Sequence, residues 1–127
     1  MRNVLSIVAT AVVLIAGVAL AAPPRQGTAD LTSLSASGVT GDVKLKEFQA
    51  TETQINAAIR GLQPGVEYRL EFSGAQSGVI ETFTAKNSGL EHVNGRISVP
   101  MDQFNTISVV RTSDNATVAS GNVIILV

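Results

Sequence analysis

Gly61-Leu62-Gln63-Pro64-Gly65-Val66-Glu67-Tyr68-Arg69-Leu70-Glu71-Phe72 is the stretch whose reading decides the fold. Pro64 pre-sets its own φ and Gly65 permits a positive one, so Pro64-Gly65 suits a tight reversal. Beyond the turn, Val66, Tyr68, Leu70 and Phe72 alternate with Glu67, Arg69 and Glu71. Period two is the mark of a half-buried strand. On the near side, Ile55, Ala57 and Ile59 alternate with Gln54, Asn56, Ala58 and Arg60. Two amphipathic strands therefore flank a Pro-Gly turn.

Working outward, the same theme recurs. From Asp30 onward we count eight strand candidates. The first, about 30–36, is rich in Ser and Thr. The second is Asp42–Phe48, and the pair just described forms the third and fourth. The fifth is Val79–Ala85. The sixth, about 91–99, stops at Pro100. The seventh is Asn105–Arg111, and the eighth is Thr117–Val127. Asp114-Asn115 suits a short hairpin loop between the last two. Beyond residue 22 no window carries a helical apolar period. Many short strands with Gly, Asn or Pro between them predict an all-β fold, an antiparallel Greek-key sandwich or flattened barrel, immunoglobulin-like in its strand rhythm. The continuously apolar Val123-Ile124-Ile125-Leu126-Val127 is expected to be covered on both faces. The alternative is an exposed edge that pairs with another chain.

Residues 1–21 read as an export signal: Arg2, then a nearly apolar run from Val4 to Leu20, then Ala19-Leu20-Ala21 as a small-x-small cleavage site. The run is also close to the ~20 residues that span a bilayer, so an uncleaved hydrophobic helix is the other reading. In both cases Arg2 stays inside and the domain faces outward. Residues 22–29, with Pro23 and Pro24, read as a linker, and residues 30–127 as the sandwich domain. The expected location is secreted, periplasmic or at the cell surface.

The chain of 127 residues is 45% apolar and 15% charged, with a net charge of −1. A single core is within reach, and no basic patch invites nucleic acid. No cysteine is present, which removes disulfides, thiolate catalysis and thiolate metal sites.

Several segments resemble the copper/zinc superoxide dismutase fold, a Greek-key β-barrel. Ser37-Gly38-Val39-Thr40-Gly41-Asp42-Val43 is similar to its early Gly-x-Val-x-Gly hairpin, and Ile59-Arg60-Gly61-Leu62-Gln63-Pro64-Gly65 to its Ile-x-Gly-Leu-x-x-Gly turn. Thr106–Arg111 followed by Asp114 resembles its apolar strand and acidic loop, and Ala119-Ser120-Gly121-Asn122-Val123-Ile124 its closing strand. The resemblance implies the scaffold but not the metal centre. Where the family has a His-x-His copper-ligand pair, this chain reads Tyr68-Arg69-Leu70. The family's later ligand histidine falls at or near Arg111, and the metal-binding loop has no counterpart between Gly74 and Val79. Fold does not carry function with it. Gly61-Leu62-Gln63-Pro64-Gly65-Val66-Glu67-Tyr68 is also similar to the fibronectin type III corner, but there it falls late in the domain.

The candidate sites are thin. His92 is the chain's one histidine, and neighbours on a strand face opposite ways, so it does not meet Glu91; it reads as solvent-exposed. Met101 with His92 makes too few ligands for copper. Glu67 and Glu71 around Arg69 read as a solvated charge stripe rather than a glycosidase pair. Tyr68 reads as a core tyrosine with a tethered hydroxyl. Asn115-Ala116-Thr117 matches a glycosylation acceptor. The loops Ser73–Gly78 and Asn87–Asn94 are the permissive segments for binding.

The expectation is an exported, non-catalytic β-sandwich domain acting in protein interaction or as a structural module of the cell envelope. It has no cofactor and no assigned catalytic, cofactor-binding or metal residue. Another protein is its expected partner, and it meets a membrane only through residues 4–21 if these are retained. The alternatives are a copper-associated relic of the dismutase-like scaffold and a small-ligand or carbohydrate-binding module using its loops.

Overall fold

The computed structural model describes residues 25–126. The expected signal or hydrophobic helix over 1–21 lies outside them, as do residues 22–24 and Val127.

Nine antiparallel strands follow in order: β1 (Gln26–Ser33), β2 (Thr40–Phe48), β3 (Glu52–Arg60), β4 (Glu67–Ser73), β5 (Gly78–Thr84), β6 (Glu91–Ile97), β7 (Thr106–Arg111), β8 (Ala116–Asn122) and β9 (Ile124–Leu126). They are arranged β5-β4-β7-β8-β1-β2-β3-β6, with β9 also against β1. The result is an all-β, nearly closed barrel, as the alternation predicts. Its two ends, β5 and β6, meet at a seam where Ile80 packs over Gly95. Among the described residues no ladder joins them. The connections β3 to β4 and β6 to β7 cross the barrel instead of joining neighbours.

The period-two pattern sets which residues face inward. In β2 the buried positions are Gly41, Val43, Leu45 and Glu47, and in β3 they are Thr53, Ile55, Ala57 and Ile59. Tyr68, Leu70 and Phe72 of β4 are buried as well. The turn before β4 has Gly65 at φ +81°, and the Gly65 N–H donates to the Ala85 carbonyl at 2.9 Å. The Tyr68 hydroxyl accepts the Gln63 N–H at 3.0 Å, which ties the turn to the core. Tyr68 stacks on Phe83 with centroids 6.0 Å apart, and Phe72 meets Phe104 edge-on at 5.4 Å.

The opposite end is closed by a single 3-10 turn, Met101–Gln103. Fully buried Met101 donates its N–H to Glu47 at 2.8 Å, and the Thr53 hydroxyl donates to the Val99 carbonyl at 2.7 Å.

Two boundaries differ from the sequence reading. β1 starts at Gln26, inside the segment read as linker, and Gly27 and Ala29 are buried. A Cβ at Gly27 would sit 2.8 Å from the Met101 sulfur and 3.1 Å from the Ile124 carbonyl oxygen, so glycine there lets β1 run close to Met101 and β9. The apolar tail is not one strand covered on both faces. The chain breaks at Val123, whose N–H bonds the Asn105 carbonyl at 2.9 Å, and β9 pairs only with β1, leaving Ile124 61% and Leu126 47% exposed. β6 begins at Glu91, the expected start of the sixth strand, so half of the permissive loop Asn87–Asn94 lies within it.

Candidate functional site

The strands β1-β2-β3-β6 run side by side and present one continuous outer face. Its ladders put outward-facing residues in rows. Thr28, Lys44, Asn56 and Asn94 form one row, and Asp30, Asp42, Ala58 and His92 the next. Ala58 is the smallest side chain of its row. Around it opens a shallow depression of about 260 Å³, lined by Asp42, Lys44, Asn56, Ala58, His92 and Asn94. The surface exposed within it is mostly apolar, and its lining residues also carry a carboxylate, an ammonium, two amides and an imidazole. Asp42 is held at one side by Arg60, whose Nη2 donates to it at 2.6 Å. Alternation places His92 on this face as expected, and sends Glu91 inward, where it accepts the Lys86 N–H at 2.8 Å.

Of the positions that correspond to copper ligands in the resemblance, Tyr68 on β4 and Arg111 on β7 are direct cross-strand partners, and Leu70 is fully buried beside Val109. Their chemistry does not fit a metal. Tyr68 is buried with its hydroxyl committed to Gln63. Arg111 grips Asp114 through Nε at 3.0 Å and Nη2 at 2.9 Å. That hydrogen-bonded pairing raises Arg111 above its ordinary pKa and lowers Asp114 below the usual carboxylate range. His92 lies across the barrel on the other face, and Met101 is sealed inside, so these two are not brought together. Among the described residues no group of three or more His, Cys, Asp and Glu is placed to hold a metal ion.

The remaining candidates take structural places. Arg69 pairs with Glu71 and donates to Asn115 Oδ1 at 2.7 Å, and Glu67 accepts from the Thr112 hydroxyl at 2.8 Å. Asn115, with φ +56°, forms the exposed β7–β8 turn, so the glycosylation triplet is accessible. The loop between Ser73 and Gly78 is short and exposed.

One charged cluster escaped the sequence reading. Arg25 clamps the buried Glu47 carboxylate, donating Nε and Nη2 at 2.6 and 2.7 Å. Glu47 is 4% exposed. The Arg25 hydrogen bonds hold its carboxyl below the usual range against the opposing effect of burial. The only signal was Glu47 falling in step with Val43 and Leu45. The depression around Ala58 had no local signal at all, because three strands must be in register to form it.

No protein-family model matches the chain, and no curated protein matches it.

Proposed function

We propose that this chain is an exported, non-catalytic domain that acts in protein interaction or as a structural module of the cell envelope. One observation carries the reading: the open depression around Ala58 on the outer face of β2, β3 and β6. Sites that sequester small substrates are enclosed clefts of roughly 300–1,000 Å³. A smaller, open and mostly apolar hollow, whose lining residues also carry charge and amides, instead suits one protruding side chain of a protein partner, with polar contacts around it.

Two features support the scaffold likeness to the copper/zinc superoxide dismutase barrel. Both crossing connections, β3 to β4 and β6 to β7, are of the kind a Greek-key order requires. Tyr68 and Arg111 also meet across a ladder. The residues at those positions argue for a scaffold used without the metal chemistry.

The test is a photoreactive amino acid at Asn94 of the full chain, irradiated in cells that export it. The reading predicts a discrete protein adduct that disappears when Ala58→Arg fills the hollow. An adduct indifferent to Ala58→Arg, or robust turnover by the purified protein, would overturn it.

A further inference from the structure

The geometry points to a second contact, between the β9 edge of the barrel and a lipid surface. Ile124 and Leu126 are the most exposed part of an apolar strand, and β9 is laddered on one side only. Both side chains face outward. Leu126 shares its row with Gln26 and Lys46, and Ile124 with Thr28 and Lys44. Neighbouring strands lie about 4.8 Å apart, so each lysine stands two strands, roughly 10 Å, from the apolar edge. Among the described residues neither lysine forms an ion pair. Apolar side chains flanked by unpaired lysines suit the boundary between acyl chains and anionic headgroups.

The position of the N-terminal run selects lipid over other occupants. The apolar sequence Val4–Ala21 ends four residues before Arg25. Four extended residues reach at most about 14 Å. Arg25 is fixed to the barrel through Glu47, and the next residue, Gln26, is the ladder partner of Leu126. Headgroup layers are about 5–8 Å thick. With the run retained in a bilayer, Arg25 is tethered within about 6–9 Å of the headgroup surface, and the end held near it is the one carrying β9.

The full chain, reconstituted into vesicles of phosphatidylcholine and phosphatidylglycerol, tests the contact. It has no native cysteine, so a nitroxide on Leu126→Cys or on Ser113→Cys is unique. Ser113 is exposed in the β7–β8 turn at the opposite end of the barrel. The expected result is an oxygen-to-nickel collision ratio several-fold higher at 126 than at 113. Equal ratios, or shielding of 126 from both reagents as in a protein contact, would overturn the proposal. The contact rests on the envelope location proposed above. Failure at 126 with the Asn94 adduct intact removes the lipid contact alone, whereas loss of both removes the envelope reading.

Discussion

Leu70 has no exposed surface and lies in the strand half of the stretch that decides the fold. Leu70→Ala should cost about 2–5 kcal/mol in urea unfolding, since the closed core leaves a cavity. A loss below about 0.5 kcal/mol, the scale of surface changes, would mean that the faces of β4 are reversed. Tyr68→Phe removes only the hydroxyl that holds the Gln63 N–H, and should cost about 1 kcal/mol. Glu47 makes a pH-dependent prediction. Its folded pKa is depressed by the Arg25 clamp. The stability it adds is therefore complete above its unfolded value, about 4.3, and is lost as pH falls through the lower folded value. The stability gap between the wild type and Glu47→Gln should be widest near neutral pH and shrink on acidification. A gap that stays constant into acid would show that the ionised carboxylate contributes nothing beyond its shape.

At the scale of elements, the sequence reading succeeded where a strand is amphipathic and failed where it is not. β2, β3, β4 and β6 alternate large apolar with polar residues, so their faces were legible. β1 buries Gly27 and Ala29, which carry too little apolar surface to register, and its start went unseen. β9 is apolar throughout, and an apolar run does not tell a covered strand from an exposed edge. The β1–β8 contact depends on Gly121: a Cβ there would sit 2.1 Å from the Asp30 carbonyl oxygen. Backbone cannot yield as a side chain can, so Gly121→Ala should destabilise by about 3 kcal/mol or more. Ile124→Ser on exposed β9 should stay within about 0.5 kcal/mol. Thermal melts of the two variants check the contrast, and a mild Gly121→Ala would mean that β8 does not press on β1.

For the whole molecule, the barrel was legible because its strands are local, but the candidate site was not. Asp42, Asn56 and His92 lie far apart in sequence, and only the β2-β3-β6 register gathers them around Ala58. The sequence did foretell that His92 faces outward, away from Glu91. Residues 1–21 read as an export segment but lie outside the described residues, and every functional proposal presupposes that the barrel lies outside the cytoplasmic membrane. The most direct measurement is labelling of the full-length Ser113→Cys chain in intact cells with a small, charged, membrane-impermeant maleimide. An exported barrel predicts that intact cells label as fully as lysed ones. Labelling only after lysis would place the barrel inside and contradict the export on which both proposed contacts depend.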